Sequence, residues 1–377
     1  MRSNYKQLGQ FIRPVDVRNK GLITTKLLGI SVEKCFIPSI ANIIGTDLEK
    51  YKIVRKGQFA YIPDTSRRGD KIAVALLREE ECIISSAYTA FEITDTNKLD
   101  PEYLMLWFSR PEFDRYARYH SHSSVREIFG WDEMCRVELP VPDIEEQKAL
   151  ASSVTRIWRR IDTNKKLIDK LQKATLAYYS SVIGEVEVSP DTNICQYGRI
   201  GGGGTPDTGD SNYWDGEISF YTPSDSSDCP FTNSYTEKTL TAAGVSACST
   251  KIYPKGTVFI TARGTVGKIQ IASQEMAMNQ SCYAFIPNPE IPSFIAYLIL
   301  KGIVEALKKA AHGAVFGAIV TKDILAVPVP ELSNSEIQTL SAALSKPFEL
   351  MRLLQFETER LKEAETLLIQ SLSLAQN

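Results

Sequence analysis

Two long segments of the chain carry apolar residues at alternating steps of four and three. In the first segment these positions are Leu150, Val154, Ile157, Ile161, Asn164, Ile168, Leu171, Thr175, Tyr178 and Val182. In the second they are Ile337, Leu340, Leu344, Met351, Leu354, Thr358, Leu361, Leu368 and Leu372. The spacing is typical of a coiled coil, and an ordinary packed helix is the alternative for either segment alone. Pro347 interrupts the second segment, where it predicts a kink or a local break.

A different pattern precedes each of these helices. Short apolar runs bounded by Gly, Pro, Asp and Ser, such as residues 58–62 and 257–260, predict strands. Asp100 followed by Pro101 then predicts the start of a shorter helix, because aspartate caps helices well and proline is tolerated at the first position. Both halves end in Pro-Val-Pro before the long helix.

Short matching segments align the two halves of the chain. The matches are Lys56-Gly57 with Lys255-Gly256 (offset 199), Lys71-Ile72 with Lys268-Ile269 (197), Phe91 with Phe285 (194), Asp100-Pro101-Glu102 with Ile291-Pro292-Ser293 (191), and Pro140-Val141-Pro142 with Pro328-Val329-Pro330 (188). Small differences in loop length between two copies of one fold produce such a steady drift. The sequence therefore predicts an internal duplication.

These patterns predict an α+β protein with two repeated globular domains, each followed by a long helix. The domains are expected over residues 1–142 and 190–330, and the helices over residues 143–184 and 334–375. We expect the two helices to pair as an antiparallel coiled coil. A chain of 377 residues also exceeds the length at which a single core usually keeps growing.

Composition narrows the class of protein further. With 43% hydrophobic and 23% charged residues, the chain has globular proportions, and it contains no apolar run long enough to cross a bilayer and no secretion signal. We therefore expect it in the cytoplasm. Seven cysteines, none two residues apart, argue against a disulfide framework and a zinc ribbon, so reduced thiols are expected. A net charge of -2 means that any contact with DNA must come from local patches.

The second half contains an ordered set of polar and glycine-rich motifs: Gly203-Gly204-Thr205-Pro206, Tyr213-Trp214-Asp215-Gly216-Glu217-Ile218, Thr222-Pro223-Ser224-Asp225, Ala262-Arg263-Gly264-Thr265-Val266-Gly267-Lys268, Asn279-Gln280 and Val327-Pro328-Val329-Pro330. In this order the set resembles the target-recognition domain of type I restriction-modification specificity subunits. The first half has no Gly-Gly-Thr-Pro, and Arg67-Arg68 stands only loosely where the Arg-Gly loop would be. Its assignment depends on the repeat and on its own Pro-Val-Pro.

The resemblance implies two recognition domains that each read one half of an interrupted site in double-stranded DNA. It also implies partner proteins. These are methylation subunits, expected in two copies, that use S-adenosylmethionine, and restriction subunits that use ATP and Mg²⁺. No cofactor is expected in this chain.

Motifs for catalysis are incomplete. Asn288-Pro289-Glu290 lacks the second proline and the aromatic residue of an adenine methyltransferase motif. Gly264 and Gly267 are separated by two residues, whereas a phosphate-binding loop needs four between its glycines. The acidic residues after Pro142 fit the start of a helix, where they complement its dipole. We therefore expect no catalytic residues and no metal site.

The candidate DNA contacts are polar residues of the loops: Arg67, Arg68, Lys71, His120, His122, Ser123, Arg126, Thr205, Tyr221, Ser224, Arg263, Lys268, Asn279 and His312. Each has a plainer alternative. Arg263 either contacts guanine or a phosphate, or is exposed on an ordinary hairpin turn. Asn279 and Gln280 either pair with adenine or tie loops together, and the histidine loops either face DNA or are plain surface.

Two other functions remain open at the level of sequence. The same fold could serve a restriction system whose partner fuses nuclease and methyltransferase in one chain. A coiled-coil scaffold that binds no DNA would fit the mildly acidic charge.

Overall fold

The computed structural model of the protein describes residues 5–39, 45–66, 71–121, 127–184, 186, 188–310 and 317–375. The chain divides into two units, and each is described by itself below. Unit 1 comprises residues 1–159 and 363–377, and unit 2 comprises residues 160–362. Each unit therefore combines one β-rich region with a part of each long helix, whereas the sequence-based ranges treat the helices as separate segments.

Unit 1 is a mixed α and β structure built around an antiparallel sheet. Its strands are β1 (Tyr5–Gln7), β2 (Ile12–Val15), β3 (Leu28–Ile30), β4 (Phe36–Pro38), β5 (Lys52–Arg55), β6 (Phe59–Tyr61), β7 (Val74–Leu76), β8 (Glu81–Ile84), β9 (Thr89–Ile93) and β10 (Glu138–Pro140). Its helices are α1 (Pro101–Phe108), α2 (Pro111–Tyr119) and α3 (Trp131–Arg136), and α4 (Ile144–Ile183) contributes residues to both units. The main sheet has the strand order β2, β9, β6, β7.

The core of unit 1 is aromatic. Phe59 stacks on Phe91 with 5.0 Å between ring centroids, and the ring of Phe108 meets Phe59 edge-on at 5.9 Å. Helix α1 presses Phe108 into this cluster, and it begins as predicted, because the carboxylate of Asp100 accepts a hydrogen bond from the backbone N–H of Tyr103 at 2.9 Å. All three phenyl rings are fully buried.

Unit 2 contains a sheet of the same order. Its strands are β11 (Gly198–Gly202), β12 (Trp214–Tyr221), β13 (Lys238–Leu240), β14 (Val258–Thr261), β15 (Ile269–Ile271), β16 (Ala277–Met278) and β17 (Cys282–Pro287). Its helices are α5 (Ala242–Ser246), α6 (Ser293–Ala310) and α7 (Thr321–Ala326), and α8 (Asn334–Ala375) contributes residues to both units. The main sheet has the order β11, β17, β14, β15, and a second sheet has the order β13, β12, β16.

The strand registers confirm the duplication. In unit 1, Phe59 lies between Phe91 and Leu76, and in unit 2, Val258 lies between Phe285 and Ile271. The smaller strands repeat as well, since the parallel bridge from Leu27 to Ile83 corresponds to the parallel pairing of Phe220 with Ala277. Gly57 and Gly256 share a left-handed backbone, with φ of 85° and 89°.

One of the predicted matches was wrong. Ile269 pairs with Ile260, and the equivalent of Ile260 in unit 1 is Tyr61, which pairs with Val74. Ile269 therefore corresponds to Val74 and not to Ile72. The error arises because the residues before β7 belong to a longer connection, in which a lysine and an isoleucine occur by coincidence.

Helices α4 and α8 pair in opposite directions, as predicted. In unit 1, the indole N–H of Trp158 donates to the carboxylate of Glu365. In unit 2, the side-chain amide of Asn164 donates to Glu357 at 2.9 Å and to the hydroxyl of Thr358 at 3.3 Å. Residue numbers on α8 thus fall as those on α4 rise.

The apolar stripe of the helices differs from the predicted one in detail. Tyr179 is buried and Tyr178 is 39% exposed, so the stripe takes a step of four after Thr175 where a step of three was predicted. Helix α8 continues through Pro347 without the predicted break, and the next residue, Phe348, is buried. Among the residues described, no helix is both long enough and apolar enough to span a bilayer.

The cysteines are free thiols, in agreement with the expectation from sequence. Cys82, Cys229 and Cys282 are buried, and burial raises the pKa of each thiol to about 12. These side chains are therefore protonated at neutral pH and act as small apolar groups in the core.

Candidate nucleic-acid interface

Motifs that are far apart in the sequence converge at one end of strand β14 in unit 2. The backbone N–H of Arg263 donates to the carbonyl of Ser281 at 3.2 Å, and the hydroxyl of Thr205 donates to the side-chain oxygen of Gln280. A Cβ atom added to Gly264 would lie 3.7 Å from the ring of Pro223, which places the Arg-Gly turn beside the Thr-Pro-Ser-Asp motif. We name the surface residues of this site the polar cluster: Thr205, Ser224, Arg263, Asn279 and Gln280.

The turn that carries Arg263 is held by hydrogen bonds to Thr261. Thr261 accepts hydrogen bonds from the N–H of Gly267 at 2.8 Å through its carbonyl and from the N–H of Lys268 at 2.9 Å through its hydroxyl. Gly264 and Gly267 have φ of 75° and 81°, a conformation that favours glycine. Both glycines of the motif are thus required by the shape of the turn.

Arg263 is exposed at the tip of this turn. Within the described parts of the chain, its guanidinium has no ion pair and no side-chain hydrogen bond. Its planar donors are therefore available for a guanine edge or a phosphate.

Ser224 lies on a short 3-10 helix, Pro223–Asp225, that is fixed from below. The carboxylate of Asp225 accepts hydrogen bonds from the N–H of Thr222 at 2.9 Å, from the hydroxyl of Thr222 at 2.8 Å and from the N–H of Glu237 at 2.8 Å. These hydrogen bonds hold the exposed Ser224 in a defined position.

The side chain of Gln280 ties two loops together, whereas that of Asn279 caps its own turn. The side-chain oxygen of Asn279 accepts from the N–H of Ser281 at 3.0 Å, and Gln280 accepts from Thr205. Gly203 packs against the same segment, because a Cβ atom there would come within 2.1 Å of the carbonyl oxygen of Asn279. Close packing therefore requires glycine at 203. Gln280 is also exposed, so its amide can still meet a ligand.

Tyr221, a candidate DNA contact from sequence, lies in the core and is fully buried. Its hydroxyl donates to the side-chain oxygen of Gln270 at 2.9 Å, and burial raises the pKa of Tyr221 well above its ordinary value. Its prediction as a surface contact is corrected, because the hydroxyl is engaged and has no path to a ligand.

Gln270 is a supporting residue that sequence reasoning missed. It is fully buried, and its amide nitrogen donates to the hydroxyl of Ser227 at 2.9 Å and to the carbonyls of Cys229 and Phe231 at 3.1 and 2.8 Å. It thereby fixes the segment that follows Ser224. A polar residue between two isoleucines of a buried strand was the available signal.

Lys268 and Lys71 are placed beside acidic partners. Lys268 forms an ion pair with Asp228, whose side chain is 92% exposed. Lys71 lies 3.3 Å from the carboxylate of Glu33 on the surface of unit 1. Exposed pairs of this kind are weak, so either lysine can exchange its partner for a phosphate at small cost.

His120 lies at the end of helix α2 in unit 1. Its ring packs on Tyr116 with 4.2 Å between centroids, and its Nδ1 is 3.5 Å from the carboxylate of Glu133. The other candidates predicted from sequence lie outside the described residues: Arg67, Arg68, His122, Ser123, Arg126 and His312.

Unit 1 contains a buried ion pair that sequence reasoning also missed. The ammonium group of Lys34 bonds to Asp114 and donates to the carbonyl of Ile72 at 2.7 Å, while Asp114 accepts from the N–H of Ile72 at 3.1 Å. The side chains of Lys34 and Asp114 are only 11% and 12% exposed. Burial lowers the pKa of Lys34, and the charge of Asp114 opposes this effect. The pair anchors the backbone just before β7.

Metal-binding types of side chain also occur in the chain. In the ranges that the structure covers, no group of three or more His, Cys, Asp or Glu side chains is arranged to hold an ion.

Comparison with known proteins gives a family for the second half. Residues 185–365 match the family model of the type I restriction modification DNA specificity domain. The type I restriction enzyme MjaIX specificity subunit of Methanocaldococcus jannaschii is 31% identical over 167 residues, which cover 43% of this chain and 39% of that protein. The chain thus spans about two fifths of the length of this relative.

Two further comparisons cover nearly the whole chain. The putative type I restriction enzyme MjaX specificity subunit of the same organism is 22% identical over 373 residues, or 92% of this chain and 84% of that protein. The crystal structure of the type I restriction-modification S subunit from M. genitalium superposes with a TM-score of 0.56 at 14% identity, covering 97% of this chain and 94% of the other. This last likeness shows a shared fold.

Proposed function

We propose, since this chain belongs through residues 185–365 to the family of type I restriction-modification specificity subunits, that it is a non-catalytic subunit that recognises DNA. It would act in the cytoplasm and read a bipartite site, one half with each unit. The observation that carries this proposal is that the guanidinium of Arg263 has no partner among the described residues and lies on a hydrogen-bonded turn, inside a cluster assembled from the family motifs.

The geometry of the polar cluster supports recognition of bases. Arg263 offers parallel donors that match the acceptors of guanine in the major groove. Ser224 and Gln280, both exposed, offer smaller groups that can donate and accept. Since the backbone beneath them is fixed by hydrogen bonds, these groups lose little freedom on binding.

The partners follow from the same proposal. Two methylation subunits would supply S-adenosylmethionine chemistry, and restriction subunits would supply ATP-driven cleavage with Mg²⁺. The incomplete methyltransferase and phosphate-loop motifs support a chain that positions these enzymes and performs no turnover itself. Purified chain supplied with all three compounds should therefore neither methylate nor cut DNA.

Substitution of Arg263 tests the site directly. The full chain, assembled with a type I methylation subunit, is titrated with duplexes that vary one base pair at a time. Arg263→Ala should cost about 1 to 3 kcal/mol of binding and relax preference at one position if Arg263 reads a base. A uniform loss would indicate a phosphate contact. Arg199→Ala, at an exposed position on β11, is the control and should bind normally.

Exchange of one recognition domain tests whether each domain reads its own half of the DNA site. Replacing residues 190–330 by the equivalent segment of another family member should change one half of the methylated site, as read by methylome sequencing. A change in both halves would contradict independent reading. Absence of DNA binding by the assembled wild-type complex would contradict the proposed function itself and favour a scaffold.

A further inference from the structure

A stripe of polar residues on helix α6 faces the turn that carries Arg263. Tyr297, Lys301, Glu305 and Lys308 share one side of the helix, because they recur at steps of four and three. The turn touches this side, since a Cβ atom added to Gly267 would lie 3.2 Å from Cε of Lys308. Lys301, Glu305 and Lys308 therefore form one continuous surface with the turn in unit 2, and Tyr297 lies buried beside it.

Lys301 is the unusual member of this surface. It is half-buried, and within the part of the chain that the structure describes its ammonium group donates to the hydroxyl of Tyr297 alone, at 3.3 Å. Among the residues described, no carboxylate forms an ion pair with Lys301, whereas Lys268 pairs with Asp228 and Lys308 pairs with Glu305 at 3.2 Å.

Among the described residues, the charges around Lys301 leave an excess of positive charge. Burial lowers the pKa of Lys301, and the neighbouring Lys308 and Lys268 lower it further, while Glu305 and Asp228 oppose them. With both carboxylates already bonded to other lysines, the local sum is one positive charge in excess. A partly desolvated ammonium group in such a place is stabilised by an added anion.

A structural role explains the other lysines of this helix better than it explains Lys301. Lys308 and Lys309 lie in the last turn of α6, where cations complement the negative end of the helix dipole. Lys301 lies more than two turns before Ala310, the end of the helix, so the dipole gives no reason for a cation there.

We propose that Lys301, with Lys268 and Lys308 beside it, binds a phosphate of the DNA backbone next to the bases contacted from the Arg263 turn. The inference rests on the proposed function and adds to it a contact that fixes register without reading sequence. A phosphate oxygen accepts from the ammonium group of Lys301 and supplies the missing negative charge.

The salt dependence of DNA binding tests the proposal. The full chain, assembled with its methylation subunit, is titrated with a cognate duplex at several salt concentrations. Lys301→Met should lower the slope of log K against log salt by about 0.9, the value for one phosphate contact. Binding at low salt should weaken about tenfold, equally for all sequences. Lys301→Arg should restore the slope.

Lys309→Met is the matched control. Lys309 lies in the same last turn as Lys308 but off the stripe, it is exposed, and within the described residues it has no ion pair. Its loss should leave the slope unchanged. A duplex with neutral methylphosphonate linkages at the contacted position should abolish the difference between wild type and Lys301→Met.

The outcomes separate this proposal from the proposed function. An unchanged slope for Lys301→Met, while Arg263→Ala still weakens binding, would overturn the phosphate contact and leave DNA recognition intact. Stabilisation of the folded chain by inorganic phosphate that Lys301→Met abolishes, with an unchanged DNA slope, would assign the site to a free anion and also overturn it. Failure of the wild-type complex to bind any duplex would overturn both proposals.

Discussion

Each unit contains a four-stranded sheet of the same design, but the loop between the last two strands of that sheet is held differently in the two units. In unit 2 the connection between β14 and β15 spans residues 262–268 and is closed by Thr261 and two left-handed glycines. In unit 1 the connection between β6 and β7 spans residues 62–73, and the ion pair of Lys34 with Asp114 anchors its last residues from outside. Apolar strand pairing thus conserves the scaffold, while polar contacts that differ between the copies position the loops.

The helical segment that follows each sheet also differs between the two units. Unit 1 has two short helices, α1 and α2, where unit 2 has the continuous α6. Pro111 begins α2, and the residue that corresponds to it by the offset of 191 is Gly302, inside α6. Proline ends a helix because it lacks the N–H and clashes with the preceding turn, whereas an exposed glycine only weakens one. The difference at this position accounts for the separate helices of unit 1, while the order of strands is the same in both main sheets.

The largest expected effect comes from the equivalent core residues Phe91 and Phe285. Each substitution to Ala should cost roughly 3 to 5 kcal/mol of unfolding free energy. Phe91→Ala should cost more, because Phe91 contacts the rings of Phe59 and Trp131 at 5.0 and 5.7 Å and such pairs add about 0.5 to 1.5 kcal/mol. Denaturant unfolding gives the totals, and hydrogen exchange shows which unit loses protection. Loss of protection in both units to the same extent would contradict separate cores.

The next effect contrasts a buried ion pair with an exposed one. Asp114→Ala should destabilise unit 1 by roughly 3 kcal/mol, because it leaves the charge of Lys34 buried without a partner. Asp228→Ala in unit 2 should cost below about 1 kcal/mol, since its partner Lys268 can turn to solvent. Thermal and denaturant unfolding of both variants decide the ranking. Equal costs would show that the Lys34 pair is not special to unit 1.

A smaller effect concerns the equivalent glycines 57 and 256. Alanine at either position must adopt a left-handed backbone and should cost about 1 to 2 kcal/mol. Gly256→Ala should be the worse of the two, because its Cβ would lie 2.7 Å from the hydroxyl of Ser293, whereas the Cβ at Gly57 meets open space. Gly302→Ala, in the exposed middle of α6, is a control that should stabilise by up to about 1 kcal/mol.

The smallest effect concerns the charged contact between the long helices in unit 2. Arg160 donates two hydrogen bonds to Glu357, which with Asn164 lowers the pKa of this carboxyl below 4.5. Because the folded-state pKa is depressed, the stabilisation is present above 4.5 and is lost as the pH falls through the depressed value. The pair is largely exposed, so Glu357→Gln should cost less than about 1 kcal/mol at neutral pH. The difference from wild type should vanish in acid, and a difference that grew there would contradict the sign.

Periodic and repeated features of the fold could be predicted from the sequence. Heptad spacing predicted both long helices, and the drifting matches predicted the duplication that the strand registers confirm. Errors at single residues arose where two adjacent residues fit the apolar stripe equally well. Tyr178 and Tyr179 are an example, because both are aromatic and only Tyr179 is buried. Apolar periodicity fixes an element, but the packing of neighbouring elements decides which of two similar residues turns inward.

The candidate site was harder to predict than the fold. Motif residues such as Arg263 and Ser224 are on the surface as expected, and their role in binding DNA stays a prediction. Tyr221 was misplaced because the sequence does not show to which face of the sheet the tyrosine at the end of β12 points. Lys34 and Asp114 are 80 residues apart and belong to no motif, so only the folded chain brings them together.

Gln270 has a consequence for how this protein can evolve. Its amide donates to the backbone carbonyls of Cys229 and Phe231. The shape of the segment around residues 229–231 therefore depends more on Gln270, in the strand beneath it, than on the exposed side chains of the segment. Exposed positions nearby, such as Ser224, can then mutate with little change in stability. Such a surface can accumulate many neutral substitutions and acquire a new ligand preference, and none of the intermediate variants needs to lose its fold.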